Sequence, residues 1–260
     1  MFTLILLLIK DILKTRLYRG NNLLKMLTAI FVSMFSLCSA QSVETRADAG
    51  QSAKKITREN IPYFVDIQMA KSRYDHKQLG NLKKFPRKKY RAKMEHIVPI
   101  AQNTEVPQEI MDLPVRIVND ANGRDSTTLR ELSKKRLLIL DFWADWCGPC
   151  VESMNKWADI QQKYNDRVQV VGLMLDYDYK AEKNIKERGW TMPQLVGPEA
   201  FFLNAYFCGT PVTGPSAWID KNTFIGATDT HANCEKLIND LYSGRISSIP
   251  EEAKMITNIK

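Results

Sequence analysis

Leu138-Ile139-Leu140-Asp141-Phe142-Trp143-Ala144-Asp145-Trp146-Cys147-Gly148-Pro149-Cys150 decides the reading of this chain. An apolar run interrupted by one acid leads into two cysteines two residues apart. Continuous apolar character over Arg136–Trp143 is what a strand buried on both faces of a sheet requires. A Cys-x-x-Cys just beyond such a strand can alternate between dithiol and disulfide without moving the fold. The full Trp-Cys-Gly-Pro-Cys string is far more specific than a bare Cys-x-x-Cys. A structural zinc site usually needs a second matching pair, and Cys38, Cys208 and Cys234 do not provide one. The pair reads as redox-active; no metal and no cofactor is expected.

Outward from this stretch the pattern is regular. Val151, Met154, Trp157, Ile160 and Tyr164 recur at helical spacing, predicting a helix over Cys147–Tyr164. Val168–Leu175 and Thr191–Val196 read as strands, and Lys180–Arg188 as a charged helix stopped by Gly189. Pro198 opens a short helix over Glu199–Phe207, closed by Gly209. Ser216–Asp220 and Thr223–Thr228 form a hairpin around Lys221-Asn222, and a last helix spans about Ala232–Tyr242. Upstream, Val115–Asn119 and Thr127–Leu132 flank a turn at residues 120–123, a hairpin-like start. The order is β-hairpin, βαβ, an αβα insert and ββα, which makes an α/β sandwich.

The chain has 260 residues, 44% of them hydrophobic, and a formal charge of +8. That charge is uneven. Residues 1–40 hold five basic and one acidic residue, 41–107 fourteen and seven, and 108–260 eighteen and twenty-one. The part with the cysteine pair is therefore mildly acidic, which excludes nucleic-acid binding by the core. Leu23–Ala40 is built like a secretory signal, with basic residues up to Lys25, a short apolar stretch and small residues at its exit. Cleavage is expected before Gln41. The apolar block Phe2–Ile9 implies either a long leader or a start downstream of Met1, while acylation at Cys38 or an uncleaved anchor are the less favoured readings.

Four segments result: a signal peptide over 1–40, a basic polar extension or linker over 41–107, the redox domain over 108–245, and a tail over 246–260. The charge run at residues 83–93 is read as a solvated tether ahead of membrane-surface or acidic-partner contact. Ile61–Met69 is apolar enough to dock. Cys208 and Cys234 are read as two core thiols ahead of a second disulfide.

This arrangement resembles the thioredoxin fold, specifically its exported TlpA/ResA-like thiol–disulfide oxidoreductase branch. The resemblance covers roughly residues 108–245 and rests on the Cys-Gly-Pro-Cys pair, Asp141, the insert before the final hairpin, and Pro215. It implies a thioredoxin-like sandwich, a central mixed sheet flanked by helices, with a TlpA-type αβ insert. Where that branch usually has Asn in the strand and an acid three positions after the second cysteine, this chain has Asp141 and Ser153. Where plain thioredoxins place a Lys and a helix-kinking Pro, an ungapped count finds Gly172 and Asn155.

The chemistry then assigns roles. Cys147, where the loop enters the helix, should attack, and Cys150, one turn inside, should resolve. A helix dipole stabilises the thiolate by about 0.3–1 kcal/mol, short of the roughly 2 kcal/mol needed to bring a thiol from about 8.5 to about 7. Free first-turn N–H groups must supply the rest, and Pro149 suits that turn because it has none to satisfy. Asp141, if buried near Cys150, should have a raised pKa and take the Cys150 proton; the alternative is a partly solvated acid at a strand end. The family pattern implies a cis peptide at Pro215, holding Gly214 as an extended edge facing Cys147, with Trp146 as one wall. With Gly148 and Pro149 these make the expected substrate-binding set. Asp145 and Glu152 read as surface charges. The leading functional reading is an exported, periplasmic reductase that passes electrons from a membrane thiol donor to disulfides in exported proteins. Net oxidation or isomerisation is the second, and a binding module worked by the basic arm is the third.

Overall fold

In the computed structural model the described residues are 55–69 and 81–254. The expected leader, its cleavage point and Cys38 lie outside them, as do residues 70–80. The strands are β1 (Val65–Met69), β2 (Lys88–Ala92), β3 (Thr104–Glu105), β4 (Val115–Ile117), β5 (Ser126–Thr127), β6 (Leu137–Trp143), β7 (Val168–Met174), β8 (Gln194–Val196), β9 (Ser216–Asp220) and β10 (Thr223–Thr228). The helices are α1 (Ile61–Phe64), α2 (Gln108–Met111), α3 (Leu129–Leu132), α4 (Gly148–Lys163), α5 (Ala181–Arg188), α6 (Pro198–Cys208) and α7 (Cys234–Tyr242).

Eight strands form one mixed sheet in the order β3-β10-β9-β6-β7-β8-β4-β5. β6 runs parallel to β7 and antiparallel to β9, and β7 runs parallel to β8. All seven residues of β6 are buried, as its apolar run requires. Its side chains alternate between two cores. Leu138, Leu140 and Phe142 join the core that includes α6; Leu137, Ile139 and Trp143 join the one that includes Met154 and Trp157 of α4 and Ile238 of α7. Period-two alternation puts Asp141 on the second side, under α4. The β9–β10 hairpin turns at Lys221 (φ 48°) and Asn222 (φ 71°), the left-handed pair that matches strand twist.

Three expectations are corrected. The first hairpin has a short second arm: β4 pairs β5 at only two positions, and Thr128 then caps α3 by accepting a hydrogen bond from the Glu131 N–H. The described part of 41–107 is not a solvated tether. β1 and β2 form a two-stranded antiparallel sheet, and Ile61, Phe64, Val65, Tyr90 and Ala92 are buried in the same core as α6. Phe64 packs on Phe202 and Tyr90 on Phe201, with ring centroids 5.2 and 5.6 Å apart. Burying each large apolar side chain is worth roughly 1.5–3 kcal/mol, which a tether would forgo. The folded unit thus begins by residue 55, not 108. The tail is also engaged through residue 254: Ile249 is buried, its N–H bonds the Ile225 carbonyl, and Lys254 bridges to Thr228.

A buried ionic clamp fastens the added layer. Tyr90 Oη donates to Asp178 Oδ2 at 3.1 Å, and Arg116 Nη1 donates to the same oxygen at 3.0 Å. Asp178 thereby ties the β4 and β2 strands to the turn before α5.

Candidate active site

The β6–α4 junction sets the geometry. Cys147 is the N-cap of the 16-residue helix α4, and Pro149 lies in its first turn. Cys147 is half-buried while Cys150 is fully buried, and the two are joined as a disulfide with Cα atoms 5.3 Å apart. Gly148 and Pro149 are exposed, and a Cβ added at Gly148 would meet nothing within 4 Å. Cys147 is thus the more accessible residue of the pair and Cys150 the sheltered one.

Cys150, Ser153 and Trp157 lie on the buried face of α4, above Asp141. Asp141 is fully buried. Its Oδ2 accepts from Ser216 Oγ at 2.7 Å, Trp157 Nε1 at 2.8 Å and Ser153 Oγ at 3.2 Å. Its Oδ1 is buried with no partner. Burial pushes the carboxyl up to about 7, against the three donors, and no cation is among the groups acting on it. The partly solvated alternative is thus excluded by the structure. A cavity of about 360 Å³, lined in part by Ser153, Trp157 and Cys234, reaches the same donors from the surface.

The two departures from plain thioredoxins each sit in a defined local environment. Gly172 stands opposite Asp141 in the β6–β7 register. A Cβ there would overlap the side chain of Gln194, which instead accepts a hydrogen bond from Trp143 Nε1 at 3.0 Å. Asn155 accepts from Trp190 Nε1 at 2.9 Å, tying α4 to the segment after α5.

Pro215 corrects the expectation of a cis bond: no described peptide is cis. Gly214, at φ 110°, turns the chain instead, a conformation that favours glycine. Its N–H donates to the Phe142 carbonyl at 2.6 Å, and the Pro215 carbonyl accepts from the Phe142 N–H at 3.1 Å. The Gly214 N–H is therefore committed to β6, and a Cβ at this position would lie 3.6 Å from Cys150 Sγ. Gly214 borders the resolving sulfur; it does not present a free amide edge to Cys147.

Trp146 is 62% exposed, with Lys89 Nζ 5.8 Å from its ring centroid. Asp145 is not a plain surface charge. Lys180 Nζ donates to Asp145 Oδ1 at 3.0 Å and to buried Asp176 Oδ2 at 2.8 Å, pinning the loop before Trp146. Burial and the neighbouring Asp145 push Asp176 up to about 6. The i,i+4 spacing of Asp176 and Lys180 was the sequence signal for this contact. Cys208 and Cys234 are both free and belong to cores on opposite faces of the sheet. Burial pushes the Cys234 thiol up to about 12 and raises that of Cys208 too, so neither is a ready thiolate.

Known proteins match this arrangement. The thioredoxin family model matches residues 122–197. Thioredoxin-1 of Drosophila melanogaster is 33% identical over 82 residues, 32% of this chain and 70% of that protein. This chain belongs to the thioredoxin family. Thioredoxin-T of the same fly is 36% identical over 67 residues, 25% of this chain and 40% of that protein. Thiol-disulfide oxidoreductase ResA of Bacillus cereus is 28% identical over a longer stretch of 113 residues, 43% of this chain and 63% of ResA. The chain thus spans less than two thirds of the length of two of these three relatives. Among solved structures, the thiol:disulfide interchange protein DsbE from Chlorobium tepidum is similar at 22% identity and a TM-score of 0.44, covering 55% of this chain and 97% of that one.

Proposed function

We propose that this thioredoxin-family chain is a thiol–disulfide oxidoreductase that works as a reductase of disulfides in other exported proteins. The observation that carries the reading is the asymmetric pair at the head of α4, with a cation-free buried acid beneath it. In the dithiol form, the Cys147 thiolate attacks one sulfur of a client disulfide. A Cys147–client bond forms, the client S–S bond breaks, and one client thiolate leaves. Cys150 then gives its proton to Asp141 and attacks Cys147 Sγ. The Cys147–Cys150 bond forms, and the second client thiolate leaves and takes up a proton. Two electrons pass from the chain to the client, and an external dithiol must restore them.

Asp141 suits the proton step because a group near 7 can both accept and release a proton at neutral pH. Its unpartnered Oδ1 has room for that proton, while Oδ2 is held by three donors. The cavity at Ser153 and Trp157 provides a way for the proton to leave. Export is supported by the signal-like composition of Leu23–Ala40, and a membrane-held dithiol is the donor that such a location calls for. The test is single turnover of the pre-reduced chain with a disulfide-linked peptide. Wild type should release both peptide thiols, Cys147→Ser should release none, and Cys150→Ser should stall as a mixed disulfide on Cys147. Full release by Cys147→Ser would sink the reading and favour a binding module.

A further inference from the structure

The added β1–β2 layer does more than cover α6. A groove of about 540 Å³ runs between β2 and the active-site loops. Lys89 and Arg91 stand on one wall; Trp146, Val212 and Thr213 form the other. Leu175 and Phe201 lie at its base. One end abuts Trp146, the neighbour of Cys147, and the other wall runs directly into Gly214 and Pro215.

Its charge is one-sided. Among the described residues no carboxylate lines it. Four described acids on the flanking elements are engaged elsewhere: Asp66, opposite Arg91 in the strand register, pairs with Lys93; Asp145 and Asp176 share Lys180; Asp178 holds Arg116 and Tyr90. Lys89 and Arg91 form no ion pair with any described residue; Lys89 only approaches the Trp146 and Tyr177 rings, at 5.8 and 5.9 Å. Trp146 and Val212, 62% and 43% exposed, offer apolar cover beside these cations.

We propose that this groove seats an extended client segment that carries carboxylates beside its disulfide, with Lys89 and Arg91 as the residues that set this preference. The inference rests on disulfide exchange at Cys147. Concave placement against Trp146 distinguishes these two cations from a flat lipid-binding face, and Lys84, from the same charge run, is already paired with Asp125.

The test uses the full chain, reduced, with two disulfide-linked peptides that differ only in carrying Glu or Lys beside the bridge. Neutral 2-hydroxyethyl disulfide is run alongside to report exchange itself. Two exposed ion pairs at about 0.2–1 kcal/mol each predict a roughly two- to thirtyfold higher kcat/KM for the Glu peptide, shrinking with added salt. Lys89→Gln with Arg91→Gln should erase the preference, and Lys89→Glu with Arg91→Glu should invert it. Equal rates on both peptides, with the small disulfide still reduced, would overturn this inference and leave the oxidoreductase reading intact. So would a preference that survives both double variants. Binding to phosphatidylglycerol vesicles that the Glu variants abolish, without any peptide preference, would replace it with a lipid role. Failure to reduce any disulfide would overturn both.

Discussion

Two buried aspartates show what decides the role of an acid in this molecule. Asp141, under α4, and Asp178, under the added β1–β2 layer, are both almost wholly inaccessible, and each has an unpartnered Oδ1. Both are pushed upward by burial. Asp141 meets only neutral donors, two serine hydroxyls and an indole N–H, and reaches about 7. Asp178 meets a guanidinium 3.0 Å away, whose charge pulls its pKa back down. Without a cation, a buried carboxyl is poised to exchange a proton; with one, it becomes a clamp. On the proposed reading the first serves proton transfer at Cys150, while the second fastens β2 to the turn before α5.

Removing the charge of Asp141 should show the contrast most strongly. Its pKa is raised from 3.8 to about 7 on folding, so the native state holds more protons than the unfolded state between these values. Stability from this group is therefore full below about pH 4 and is lost as pH rises toward 7. Asp141→Asn should abolish that slope and stabilise the oxidised protein at pH 8 by on the order of 4 kcal/mol in urea unfolding. The same variant should slow release of the second client thiol by about 100-fold in stopped flow. An unchanged pH slope would place the proton elsewhere.

Breaking the clamp should act in the opposite sense. Arg116→Ala leaves Asp178 buried without its cation and should cost about 3 kcal/mol, with amide exchange of β2 accelerated. Single-turnover chemistry on the neutral 2-hydroxyethyl disulfide should change far less than in Asp141→Asn. Smaller effects sharpen the comparison. Tyr90→Phe removes one donor to Asp178 and should cost about 1 kcal/mol in the same unfolding assay. Ser153→Ala removes the longest of the three hydrogen bonds to Asp141, at 3.2 Å, and should move the midpoint of the pH–rate profile upward. A downward move would mean that Ser153 does not act on the carboxylate.

The redox side was legible because its signals are local. One apolar run, one acid and a Cys-Gly-Pro-Cys string specify β6, α4 and their junction, and helical spacing alone puts Ser153 and Trp157 on the Cys150 face. The added layer was not, because its signals are distributed. Lys89-Tyr90-Arg91-Ala92 alternates polar and apolar, yet Lys83, Lys84, Pro86, Arg87 and Lys93 around it are also basic or proline, and the pattern reads as a charge run. Its partner strand lies on the far side of residues 70–80. A clue did exist: Pro198–Cys208 is apolar on nearly every side, with Glu199 and Asn204 its only strongly polar residues, so something had to cover its outer side. Thr128 and Glu131 form a capping-box spacing that marked α3 as a helix, not the second arm of a hairpin. The pairing of Gly214 and Pro215 with Phe142 on β6 is a long-range contact that no local motif encodes.

The most direct test of the central claim is the redox equilibrium of the full chain with glutathione, read by thiol trapping of Cys147 and Cys150. A potential near the thioredoxin end of the scale, about −270 mV, is the predicted result and fits a reductase fed by a dedicated dithiol. A potential near about −120 mV would contradict it and make the chain an oxidant.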